Sequence, residues 1–148
     1  MLKIEALTAH YGAAQALFGI DLDVAAGATV ALVGANGAGK STLLKALMGL
    51  VRPSGGRVLL DGRPVTGHAP ARMVRLGLAL SPEGREVFGH LSVLENLRLG
   101  AIPLRLSRRD GETRLAEVFT RFPKLSERSQ QLAGTLSGGE QQMLAMGR

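Results

Sequence analysis

Residues 34 to 42, Gly34-Ala35-Asn36-Gly37-Ala38-Gly39-Lys40-Ser41-Thr42, combine three glycines, a lysine and two hydroxyls at the spacing a polyphosphate site requires. Gly34, Gly37 and Gly39 can adopt backbone angles closed to side-chain-bearing residues. Successive N–H groups can therefore turn inward around an anion at a helix start. Lys40 would bring a point charge to the β and γ phosphates, and the Ser41 hydroxyl an oxygen for Mg2+. A second run, Leu136-Ser137-Gly138-Gly139-Glu140-Gln141-Gln142, places a hydroxyl and two glycines at another helix start, with backbone N–H groups exposed to a second anion.

The phosphate loop needs a strand before it and a helix after it, and apolar stretches at Thr29 to Val33 and Leu43 to Leu50 supply both. Lys3 to Thr8 and Phe18 to Val24 alternate polar and apolar residues, as half-buried antiparallel strands do. Arg57 to Leu60 is expected to be a third strand, turned by Asp61-Gly62 into a return at Arg63 to Val65. The aspartate of this turn follows an apolar run, as a metal-binding aspartate could, but Gly62 marks it as a hairpin. Ala69 to Leu76 looks helical, and Leu78 to Ser81 reads as a short buried strand stopped by Pro82. Beyond it the periodicity is helical. Ser92-Val93-Leu94-Glu95 is a capping box opening one helix, Arg108 to Phe122 forms another that Pro123 ends, and Ser137 begins the last.

The chain has 148 residues, 45% hydrophobic and 20% charged, with a net charge of +6 and no cysteine. That composition fits a folded domain and excludes disulfides, thiolate metal sites and a cysteine nucleophile. The basic residues are scattered without interleaved aromatics, which argues against a nucleic-acid partner. No apolar run reaches bilayer length and the start lacks a signal-peptide layout, so a cytoplasmic location is expected. His10, His68 and His90 share no ligand spacing, and no metal or catalytic role is expected for them.

The motif Leu136 to Gln142, placed after a phosphate loop, resembles the signature of the ABC ATPases over the full length of the sequence. The resemblance implies an α/β P-loop NTPase with a small antiparallel β-subdomain (about 1–28 and 56–68), a RecA-like core (about 29–55 and 69–85) and a helical subdomain (about 86–148). It implies that Tyr11 stacks on adenine, that Ser81 to Arg85 is the Q-loop, and that ATP with Mg2+ occupies the phosphate loop. It further implies that Leu136, Ser137, Gly138, Gly139, Glu140 and Gln141 cap nucleotide bound to a second ABC ATPase subunit. Two integral membrane permease subunits and, indirectly, a substrate-binding protein would complete the assembly on the inner face of the cell membrane.

Glu83 stands where that family usually has glutamine. A carboxylate there can join Ser41 in holding Mg2+, but it cannot donate a hydrogen bond. Together with Pro82 to Phe88 and Leu91 to Leu97, it resembles the branched-chain amino-acid importer ATPases of the LivF type. Importers of other small solutes such as urea, and soluble ABC ATPases acting on ribosomes or DNA, are the alternatives. The resembled fold continues into an apolar strand ending Asp-Glu and a strand bearing a histidine, neither of which this sequence contains. The expectation is an N-terminal part of a longer ATPase, lacking the C-terminal part of the core and any catalytic residue, which binds ATP weakly and does not hydrolyse it.

Overall fold

A computed structural model describes residues 1–81, 84 and 86–148. They form two compact units, Met1–Leu80 and Ser81–Arg148.

In the first unit, β1 (Leu2–Tyr11) and β2 (Ala14–Val24) make a hairpin. β3 (Pro53–Leu60) pairs on the other side of β1, and β4 (Arg63–Pro64) pairs with β3, giving the antiparallel order β2-β1-β3-β4. Asp61 and Gly62 both have positive φ, +49° and +75°, the conformation a tight hairpin turn demands. Strict alternation would send Ile4 and Leu7 to opposite faces, yet both are buried. A bulge between them resolves the conflict. Ala6 takes φ +45°, its N–H donates to Asp21 Oδ1 at 2.8 Å, and the register shifts there against both neighbouring strands. Ile4, Leu7, Ala9, Leu17 and Val58 thus share one buried face.

α1 (Lys40–Leu47) adds Leu43, Ala46 and Leu47 to the same core, the spacing of one helical face. α2 (Pro70–Arg75) contributes Met73. Two sequence expectations fail here. Thr29 to Val33 and Leu78 to Ser81 are not strands. Neither run has a hydrogen-bonded strand beside it among the described residues, and an apolar run acquires strand geometry only through a neighbour's ladder. Val33 is accordingly 90% exposed.

The second unit is helical: α3 (Val93–Ala101), α4 (Arg108–Arg121), α5 (Pro123–Glu127) and α6 (Gly138–Gly147), with single 3-10 turns at Ile102–Leu104 and Ala133–Thr135. Pro123 both terminates α4 and occupies the first turn of α5, where its missing N–H costs nothing. Val93, Leu97, Leu125, Ala133, Leu136 and Leu144 form the core of this unit. Among the described residues no helix is long and apolar enough to cross a membrane.

Candidate nucleotide-binding site

The stretch from Gly34 to Gly39 curls rather than extends. Ala38 N donates to Ala35 O at 3.2 Å, closing a turn that contains Asn36 and Gly37, and Gly37 has φ +85°. Gly39, at φ +88°, is the residue from which α1 starts. A methyl group there would lie 2.8 Å from Ala16 O and 3.1 Å from Leu17 Cδ2, so the loop is held closely against β2. Glycine is required at this position for two reasons: the left-handed backbone and the lack of room.

Lys40 folds back over the curl. Its ammonium donates to Gly34 O and to Ala35 O, each at 2.7 Å, bridging the two ends of the loop. Those carbonyls take two of the three ammonium donors, leaving a third direction for an anion. No side chain caps the first turn of α1 and no acidic residue lies in it. The positive end of its dipole therefore faces the loop with no carboxylate of its own first turn to oppose it. Ser41 and Thr42 stand in that first turn. This donor set fits a polyphosphate, and the Ser41 hydroxyl fits a magnesium ligand. Among the described residues no cluster of three His, Asp or Glu side chains could hold a metal unaided. A metal here would therefore take most of its oxygens from the phosphates and water.

Tyr11 ends β1 opposite Ala14, its ring half exposed. Glu83, the second expected magnesium ligand, lies outside the described residues.

The second expected anion site is built differently. Ser137 is the N-cap of α6, and its hydroxyl accepts the Glu140 N–H at 3.4 Å, while Glu140 Oε2 accepts the Ser137 N–H at 2.9 Å. Gly138 and Gly139 are the first helical residues, and Leu136 is buried beneath them. The bonds from Ser137 hold the Glu140 carboxyl below the usual carboxylate range, and the charges of Arg128 and Lys124 add to that. Arg128 Nε reaches Glu140 Oε1 at 3.1 Å, so the negative charge beside this helix start is balanced. Gln141 donates from its side chain to Ala133 O at 3.2 Å, tying α6 to the turn before it. Sequence reasoning missed Arg128 because it stands eight positions before Leu136 in the chain, with no shared periodicity. It also passed over Asn96, which is fully buried.

Residues 17–148 match the family described as ABC transporter. The chain belongs to the ABC transporter family. It is 43% identical, over its full length, to a high-affinity branched-chain amino acid transport ATP-binding protein, BraG, of Pseudomonas aeruginosa, and covers 63% of that protein. It is 40% identical over 99% of its length to a probable branched-chain amino acid transport ATP-binding protein, LivF, of Archaeoglobus fulgidus, covering 61% of it. The chain thus spans about three fifths of the length of these curated relatives. Import proteins named for ribose and for glutamine match as well, at 38% and 32% identity. A solved structure of the ADP conformation of an ATP-binding cassette of an ABC transporter superposes with a TM-score of 0.82 at 28% identity, over 100% of this chain and 63% of the other. The fold is that of the ABC ATPase cassettes, mixed α/β with an antiparallel sheet, of which this chain is a part.

Proposed function

We propose that this ABC chain carries the nucleotide-binding elements of an importer ATPase for branched-chain amino acids. One observation supports the nucleotide site above all: a loop bridged by the Lys40 ammonium in front of an uncapped, acid-free helix start. In this reading Lys40 and the N–H groups of residues 37 to 42 hold the phosphates. The exposed Tyr11 ring offers a stacking face for adenine. Ser41, with Glu83, supplies protein ligands to Mg2+, which would neutralise phosphate charge when bound.

Ser137 to Gln141 would act on nucleotide held by a second ABC ATPase subunit. The Ser137 hydroxyl accepts a bond from Glu140 N–H and gives its proton to the Glu140 carboxylate, so contact with a phosphate oxygen would require that proton to turn away from Glu140. The residues around Glu83 to Leu99 would meet one of two integral membrane permeases, and a substrate-binding protein would deliver the amino acid. The working place would be the inner face of the cell membrane. The three-part division into β-subdomain, core and helical subdomain belongs to the same reading. No Asp-Glu pair occurs in the 148 residues, so they contain no candidate to polarise an attacking water, and weak ATP binding with little turnover is expected of them alone.

The full-length similarity to BraG and LivF favours branched-chain amino acids as the solute. The ribose and glutamine relatives keep other small solutes as the second reading. The test is uptake of radiolabelled leucine and ribose by cells in which the ATPase gene is deleted and then restored. Leucine uptake that returns with the gene supports the reading, and ribose uptake that returns in its place overturns the solute assignment.

A further inference from the structure

Asn96 is a fully buried amide in the second unit, and all its polar atoms are engaged. Its Oδ1 accepts the Phe88 N–H at 2.9 Å, and its Nδ2 donates back to Phe88 O at 3.0 Å and to Ser92 O at 3.0 Å. A side-chain amide therefore pairs with both backbone groups of Phe88, as a neighbouring strand would. The segment so held is itself joined to the approach of the signature run. Gly134 N donates to Gly89 O and Ala133 N to Leu91 O, each at 2.9 Å, and Ser92 bridges Leu132. Gly89 and Gly134 touch through their backbones: a methyl group on Gly134 would meet Gly89 O at 3.0 Å. From Ala133 the contact passes to α6 through Gln141, whose side chain binds Ala133 O. The Phe88 ring stays half exposed, with the Arg148 guanidinium 5.3 Å from its centroid and the His90 ring edge-on at 6.5 Å.

We infer that Asn96 is a positioning residue for coupling: it locks the Phe88 segment to residues 133 and 134, so that a load on the exposed Phe88 ring is transmitted to Ser137. Its functional half rests on the importer reading above. The lock itself does not. A buried amide that binds both the N–H and the C=O of one residue leaves that residue little room to move, and backbone hydrogen bonds carry the constraint across to the turn before α6.

The test uses the complete ATPase, alone and assembled with its permeases, as Asn96→Asp and as Gly134→Ala. The carboxylate of Asn96→Asp keeps the bond from Phe88 N but faces the carbonyls of Phe88 and Ser92 with no donor. Gly134→Ala separates the same two segments without burying a charge. In both variants amide exchange at Ala133 and Gly134 is expected to rise about tenfold while that at Leu144 holds. In the assembly, transport per ATP hydrolysed is expected to fall by about the same factor, with nucleotide affinity unchanged. On a Phe88→Ala background neither variant should lower transport per ATP further. Retained protection at Ala133 and Gly134 overturns the inference, as does faster exchange with unaltered transport per ATP. Failure of the chain to assemble with any permease overturns the importer reading instead, and amide exchange then decides the lock.

Discussion

The two glycine-rich helix starts, α1 after Gly39 and α6 after Ser137, solve the same problem in opposite ways. Every helix begins with N–H groups that have no partner in the helix. At α6 a reciprocal capping box answers them with the chain's own side chains, and Arg128 balances the carboxylate this requires. At α1 the N-cap is Gly39, which has no side chain to answer them, and a lysine is folded over the opening. The first end is complete without a ligand. The second, in the proposed reading, is the one that an anion would complete. The difference separates a helix start that an incoming phosphate meets ready-made from one that phosphate binding itself organises.

The largest expected effect falls on that second end. Lys40→Ala removes the side-chain cation that bridges Gly34 O and Ala35 O, and charged hydrogen bonds are worth about 1.5–3 kcal/mol each. Nucleotide affinity is expected to fall by about 100-fold in a fluorescent ATP-analogue titration, while Ser137→Ala leaves binding to this chain unchanged. Equal losses from both substitutions would erase the distinction between the two ends.

Next comes Gly39→Ala, which puts a side chain at φ +88° and 2.8 Å from Ala16 O. Strain of about 1–3 kcal/mol is expected in chemical denaturation of the first unit. Ser137→Ala should cost the second unit about 1 kcal/mol, the ordinary value of an N-cap. The comparison is sharpened if added Mg-ATP restores much of the first loss and none of the second.

Acid distinguishes the ends further. Glu95 and Glu140 are both held below the ordinary carboxylate range, in each case chiefly by the backbone N–H and hydroxyl of their capping serine. A depressed folded pKa means that the stabilisation is complete above the unfolded pKa and disappears as pH falls through the lowered value. Helicity of α3 and α6 should therefore decline below about pH 4, whereas the start of α1 has no carboxylate to titrate. Glu140→Gln preserves the capping geometry and should flatten this dependence in a circular dichroism titration of α6. The smallest effect is that of Arg128→Ala, which should move the acid midpoint of α6 slightly upward, because the Arg128 side of this ion pair is open to solvent and its contribution is screened.

Much of this was legible in the chain. The capping boxes at Ser92 and Ser137 depend on four adjacent residues, and the Asp61-Gly62 turn on two, so local chemistry decided them. The same holds in the phosphate loop for Gly37 and Gly39, whose positive φ follows from the turn itself, while the close approach of Gly39 to Ala16 does not. Thr29 to Val33 and Leu78 to Ser81 misled because apolar composition marks a run for burial, while strand geometry depends on a partner elsewhere. The bulge at Ala6 was hidden for a related reason: alternation in β1 reads smoothly until the positions of Ile4 and Leu7 on one face are known.

By itself, the sequence determined where helices start and membership of the ABC family, since these depend on residue type and short spacing. Only the tertiary structure decided that Lys40 bridges Gly34 and Ala35, that Arg128 balances Glu140, and that Asn96 grips the Phe88 peptide. Those are meetings of groups whose directions are set by packing, and a hydrogen bond depends on direction and distance, which spacing along a chain does not specify.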